Sequence, residues 1–350
     1  MLRKIILVVL LIVFIVAVVV GYKFFTGKTG FGGNRKFLYI YSNNATKAAV
    51  LEALRKDSIV TNPGDFEFLA NRINYWENIK PGRYRINKHE SVYDIVKKLK
   101  NGDHYPVSLV INKVRLQSDF ASLVGKNFET DSADVMKYLD SSRRMMFEKI
   151  IPNTYFIPWT WSPQKIMEKL NSEYDKWWQK KDRVTRAQGL GFTPSKIYTI
   201  ASIVEEETNV PEDKKYIASV YFNRLQKNMP LQADPTIRYA LGDFTINRIY
   251  YNDLRVNSPY NTYLYTGLPP GPICTPSTAT IDSVLNAPKT DFLFFVASPD
   301  LMGGSVFTTN LADHAKAAKT YQDSLSAWME RKAMRQKAVN DSIAKVKQAK

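Results

Sequence analysis

Three consecutive glutamates, Glu205, Glu206 and Glu207, close the segment TPSKIYTIASIVEEET that runs from Thr193 to Thr208. Thr193 can cap a helix with Pro194 at its first position, and Asn209 followed by Pro211 supplies the stop, which gives about four turns. Along that helix Ile200, Ile203, Val204 and Glu207 fall at the i, i+3, i+4, i+7 spacing of one buried face, so one carboxylate sits on the apolar stripe. At about 100° per residue, Glu205 lies roughly 200° around the axis from Glu207, on the side of Tyr198 and Ala201, and Glu206 looks towards solvent. The negative end of the helix dipole, the like charges and partial burial all push one carboxyl towards its protonated form. A carboxyl protonated at neutral pH is what a general acid must be. The same run also fits a solvated helix end, the usual fate of a charge run. Local spacing leaves both readings open.

The segments that follow must position such a group. KKYIASVYFNRL places Ile217, Val220, Tyr221 and Leu225 on one helix face that can pack against the Glu207 helix. MPLQADPTIRYALG then brings Gln232, Asp234 and Tyr239, with Pro230 and Pro235 stiffening the loop. Polar side chains on a stiff loop beside a carboxylate on an apolar face suit a saccharide cleft, where amides and carboxylates fix hydroxyl groups. Asp234 ahead of Pro235 equally fits a plain turn. GLPPGP makes a rigid irregular loop of the kind that lines sites. In FTTNLADHAKA, Asn310 is expected to cap a helix bearing His314, a lone histidine with a structural role.

At 350 residues the chain can build two domains, and its formal charge of +16 points to anionic surroundings: nucleic acid, lipid headgroups or an acidic polymer. Cys274 is the only cysteine, which excludes a disulfide framework and a thiolate metal site. His89, His104 and His314 are scattered, and no bound metal is expected. Ile5 to Tyr22 is an uncharged apolar run preceded by Arg3 and Lys4, at the short end of a membrane span, with the N-terminus placed in the cytoplasm. No small-x-small cleavage site follows it, so an uncleaved anchor is expected, with the rest of the chain outside the cytoplasmic membrane. Export of the basic charge argues against nucleic acid.

The expected fold class is α+β, in five parts: residues 1–26 as cytoplasmic stub and transmembrane anchor, 27–35 as linker, 36–105 as a small module, 106–325 as the main domain and 326–350 as a basic tail. The module reads as strand (Phe37 to Tyr41), helix (with Ala49, Val50, Leu51 and Leu54), strand (Pro81 to Ile86) and a capped helix ended by Gly102. PVSLVI opens the main domain as a strand. Tyr174, Trp177 and Trp178 are expected in the core at helical spacing, FLFFVAS (Phe292 to Ser298) as a buried strand, and the chain after Trp328 as a solvated basic helix.

Five motifs, ASIVEEET, VYFNRL, MPLQADPTIRYALG, NSPYNTYLYTGLPPGPICTPS and FTTNLADHAKA, occur in an order and spacing that resemble one family. It is that of the YceG-like endolytic murein transglycosylases, which are anchored in the cytoplasmic membrane and cut nascent glycan strands. The resemblance implies a LysM-like first module and a catalytic second domain that needs no cofactor. It implies that the Glu of the Glu-Thr pair, here Glu207, is catalytic, and Gln232, Asp234, Tyr239, Asn261 and Tyr263 are expected on the substrate. The family often has Lys where this chain has Glu206. The implied partners are peptidoglycan glycan strands, the cytoplasmic (inner) membrane crossed once with the catalytic domain on the periplasmic side, and peptidoglycan synthases. The implied reaction cleaves the N-acetylmuramic acid to N-acetylglucosamine bond and leaves a 1,6-anhydro end. Two rival readings are a hydrolase of the same bond with Asp234 as partner carboxylate, and a non-catalytic scaffold that holds wall polymer.

Overall fold

The structure, a computed structural model, describes residues 2–26, 29–141, 149–246 and 248–348. It is α+β, with thirteen α-helices and three two-stranded sheets among the described residues. The chain divides into two compact units: Met1–Val110 with Ser118–Ser142 and Thr154–Glu168, and Ile111–Gln117 with Arg143–Asn153 and Lys169–Lys350.

The first unit begins with helix α1 (Leu2–Phe25), whose apolar side chains from Ile5 to Val16 are exposed. Over the described residues alone no helix is long and apolar enough to cross a membrane. The expected span includes Ala17 and Val20, whose side chains lie outside the described residues. Strand β1 (Arg35–Ile40) pairs antiparallel with β2 (Gly82–Asn87), setting Leu38 opposite Tyr84. Helices α2 (Lys47–Lys56), α3 (Pro63–Arg72) and α4 (Val92–Asn101) close a core of Leu38, Val50, Leu54, Phe66, Tyr84 and Leu99. Ser91 caps α4 and Gly102, at φ 74°, ends it in the left-handed conformation that glycine adopts without strain. Strand β3 (Val107–Ile111) buries every second residue, as its alternation requires, and pairs with β4 (Asn153–Ile157). Helices α5 (Gln117–Asn127) and α6 (Ser132–Ser141) lie between them in sequence, and α7 (Pro163–Trp178) follows.

The second unit holds α8 (Arg183–Gly189), α9 (Pro194–Glu207), α10 (Pro211–Gln226), α11 (Asp234–Leu241) and α12 (Thr278–Leu285). Strands β5 (Phe294–Ala297) and β6 (Ser305–Thr308) and the long helix α13 (Leu311–Gln348) complete it. Helix α9 is central. Every residue from Ile197 to Val204 is buried, because α8, α10, α11 and α12 all pack on it. A helix apolar on all sides belongs inside, so the single stripe read from the sequence is too narrow. Tyr174 and Trp178 join this core, and Trp177 is half-buried with the Arg183 guanidinium 3.7 Å from its ring centre. The Phe292 to Ser298 run forms only the short β5. Its phenylalanines are half-buried, since the strand has one hydrogen-bonded neighbour, β6, with Phe295 opposite Phe307. The basic tail is continuous with the element that carries His314, one helix from Leu311 onwards.

Candidate active site

The C-terminal turn of α9 sorts its three glutamates into three surroundings. Thr193 caps the helix from the other end, accepting a hydrogen bond from Lys196 N, and Pro211 starts α10 after a short link that lets it fold back along α9. Tyr221, on the inner face of α10, then donates its hydroxyl to Glu207 Oε1 at 2.6 Å. Glu207 is half-buried in a cleft wall, and loss of water around its carboxyl pushes its pKa up to about 7. The Tyr221 hydrogen bond opposes that rise, the Asp234 charge adds to it, and Arg238 and Arg224 work against it.

Its neighbours go the other way. Glu205 meets Lys214 Nζ at 3.0 Å and Ser277 Oγ at 3.1 Å, and accepts from the Thr280 hydroxyl. Burial opposes its charge, but Thr280 and Lys214 prevail and its pKa is lowered. Glu206, expected to face solvent, is 15% exposed and pairs with Lys113 at 3.0 Å and Arg115 at 2.8 Å. Here too burial is outweighed by the two cations, and the carboxyl stays ionised. Sequence spacing missed this because the covering cations sit about ninety residues upstream in the chain. One carboxyl of the three is held towards its protonated form.

The cleft encloses about 360 Å³. Its polar lining is Glu207, Arg224, Gln232, Asp234 and Tyr263, and the remainder comes from Leu231, Phe294, Phe295, Leu311 and His314. Arg224 is the buried tie: Nε donates to Leu293 O at 2.7 Å, and Nη1 donates to Leu231 O at 2.9 Å and reaches Gln232 Oε1 at 3.3 Å. It thereby fixes the loop before α11 against the approach to β5. Gln232 is held there at φ 51°, its N–H donating to Thr262 O at 3.0 Å. Asp234 opens α11 rather than a plain turn, and accepts the Tyr263 hydroxyl at 2.5 Å.

Of the residues expected on substrate, Glu207, Gln232, Asp234 and Tyr263 come together in the cleft, and Tyr239 and Asn261 do not line it. Asn261 is fully buried, donating to Leu254 O and Val256 O and accepting from Tyr263 N at 2.9 Å, so it shapes the loop that presents Tyr263. Tyr239 packs its ring 4.6 Å from Tyr260. Tyr221, Arg224, Phe294, Phe295, Leu311 and His314 are the residues that sequence reasoning did not place in the site. VYFNRL carried a signal for the first two, an arginine and a tyrosine on a buried helix. Nothing local flagged the others. A larger, more open hollow of about 630 Å³ in the first unit is lined by Ser42, Trp161 and two carboxylates, Glu129 and Asp134, of which Glu129 is taken up by the Ser42 hydroxyl at 2.6 Å. The smaller cleft is the one equipped for proton transfer.

Known proteins resemble this chain across both units. The YceG-like family profile matches residues 39–320. An endolytic murein transglycosylase of Bacillus subtilis (strain 168) is 29% identical over 310 residues, covering 80% of this chain and 83% of that protein. One from Streptococcus pneumoniae serotype 2 (strain D39) is 32% identical over 301 residues, covering 75% of this chain and 54% of the longer relative. A YceG-like protein of Listeria monocytogenes of known crystal structure is 28% identical, with 81% of this chain and 99% of that one aligned at a TM-score of 0.49. With the match extending from β1 into α13, through every element that builds the cleft, the chain belongs to the YceG-like family.

Proposed function

We propose that this protein is an endolytic peptidoglycan transglycosylase in which Glu207 serves as acid and then base. The observation that carries the reading is a single carboxyl whose pKa is raised to about 7, hydrogen-bonded by Tyr221 in a saccharide-sized cleft. The relatives named endolytic murein transglycosylases support the substrate class. Glu207 gives its proton to the glycosidic oxygen as the bond from that oxygen to the anomeric carbon of the muramoyl residue breaks. The resulting carboxylate takes the proton of the muramoyl 6-hydroxyl, whose oxygen closes on the anomeric carbon. Atoms balance without water: one glycan end carries a free hydroxyl, the other a 1,6-anhydro ring, and Glu207 is again protonated. Gln232, Asp234 and Tyr263 fix sugar hydroxyls, while Tyr239 and Asn261 act through the walls they support. Mass spectrometry of purified peptidoglycan after digestion is expected to show 1,6-anhydro ends. Ordinary reducing ends would favour the hydrolase with Asp234 as partner, and intact polymer the scaffold.

The same reading takes residues 36–105 as a LysM-like module that holds glycan, 106–325 as the catalytic domain, and α1 as a single-pass inner-membrane anchor with the catalytic domain outside. The anchor is supported by a 24-residue helix with exposed apolar side chains behind Arg3 and Lys4. A reporter fused after Lys36 is expected to be active only outside the cytoplasm, with the protein in the membrane fraction. A soluble form starting near Lys23 would overturn the anchor. Crosslinking in such membranes is expected to join the protein to the peptidoglycan synthases that make nascent strands, and absence of a crosslink would remove them as partners.

A further inference from the structure

Helix α13 meets the cleft with its first turn. Asn310 Oδ1 accepts from Asp313 N at 2.9 Å, and Leu311 and His314, three residues apart on one face, both line the cleft. The His314 ring stacks on Phe294, centres 5.2 Å apart and planes 24° from parallel, and the Arg224 guanidinium lies 5.1 Å from that same phenylalanine. His314 Nδ1 is buried with no hydrogen-bond partner among the described residues, which leaves Nε2 to meet whatever enters. Burial, then the nearby Arg224 charge, lower the pKa of the imidazole, so the ring is neutral at neutral pH. A neutral ring has one N–H and one bare nitrogen. The tautomer with its proton on Nε2 is the one that offers the cleft a donor.

Phe294, Phe295 and Leu311 line the same cleft as His314, and Phe295 packs edge-on against Tyr221, 6.2 Å between centres. The lining therefore combines apolar side chains with one uncharged imidazole. The polar lining from Gln232, Asp234 and Tyr263 suits hydroxyl groups instead. We propose that His314, with Phe294 and Leu311, reads the 2-acetamido group of the sugar, Nε2–H donating to its carbonyl and the methyl lying on the two apolar side chains. The inference rests on the peptidoglycan reading and adds to it a residue that determines specificity. A free 2-amino group offers no carbonyl to the donor.

The test compares the full-length protein on purified peptidoglycan and on the same polymer after de-N-acetylation, with kcat, KM and product ends measured separately. Wild type is expected to favour the N-acetylated polymer by at least about 10-fold in kcat/KM, the size of one well-made hydrogen bond. His314→Phe keeps a stacking ring but no donor. It is expected to lose about 10-fold on the N-acetylated polymer, chiefly through KM, and to narrow the preference. His314→Gln restores an uncharged donor and is expected to recover part of both. If His314→Phe keeps wild-type KM and preference while His314→Ala fails, the ring is only a packing element and the inference is overturned. A wild-type enzyme indifferent to the acetamido group overturns it as well. Product ends report separately on the transglycosylase reading, since loss of the preference leaves 1,6-anhydro ends in place.

Discussion

Glu207→Gln is expected to lower turnover on purified peptidoglycan by about 10² to 10⁴, the usual contribution of a general acid and base. The amide has the carboxyl's shape, and its oxygen can still accept the Tyr221 hydroxyl that now bonds Glu207 at 2.6 Å. What it cannot do is give a proton to the leaving oxygen or take one from the 6-hydroxyl. The paired substitutions sharpen the assignment. Glu205→Gln leaves Lys214 without its carboxylate, and Glu206→Gln does the same to Lys113 and Arg115. Both are expected to cost stability, because part-buried cations lose their partners, yet to leave the nature of the product ends unchanged and turnover far less affected. Near-normal turnover of Glu207→Gln would move the assignment to Glu205 or Asp234.

The pH dependence should separate the three glutamates a second way. With the Glu207 pKa at about 7, kcat/KM is expected to fall as pH rises through that value, by about tenfold per unit beyond it, as the acid is lost. Tyr221→Phe removes a hydrogen bond that favours the ionised carboxyl, so the alkaline limb should shift to higher pH. A limb that moves down in this variant would contradict the geometry. Stability follows the same carboxyl. Its folded pKa is raised above the ordinary 4.5, so its contribution is fully present below about 4.5 and is lost as pH rises through about 7. Glu207→Gln should therefore melt higher than wild type above pH 7 and lose that advantage near pH 4. Glu205 and Glu206 have lowered folded values and carry the opposite sign: their contribution is present above the ordinary range and lost as pH falls. A melting difference for Glu207→Gln that is flat across this range would show that its carboxyl is not perturbed in the folded protein.

Much of the local architecture could be read from residue order because local physics governs it. Thr193 and Pro194 start α9, Ser91 and Gly102 bracket α4, and Val107, Leu109 and Ile111 alternate inward in β3. Each depends on a cap, a permitted φ or a side-chain period, all set within a few neighbouring residues. Spacing also put Glu207 on an apolar stripe with Ile200 and Ile203, while leaving open whether its carboxyl is covered or solvated. The fate of Glu206 was not legible. Its spacing faces it outward, and only segment Ile111–Gln117, folded into the same unit, brings Lys113 and Arg115 against it.

The sequence by itself determined where α9 begins and ends, which glutamate lies on its apolar stripe, and that stiff polar loops follow. Tertiary structure decided which charges survive there. The pKa of a carboxyl depends on water removed and partners gained within a few ångströms, and those partners come from other elements: Tyr221 of the next helix for Glu207, Lys214 of that helix and the distant Thr280 for Glu205, and the distant Arg115 for Glu206. The cleft itself needed the fold for the same reason. His314 and Leu311 reach it only because α13 packs on β5 and β6, about one hundred residues after Glu207 in the chain, a distance over which periodicity carries no information.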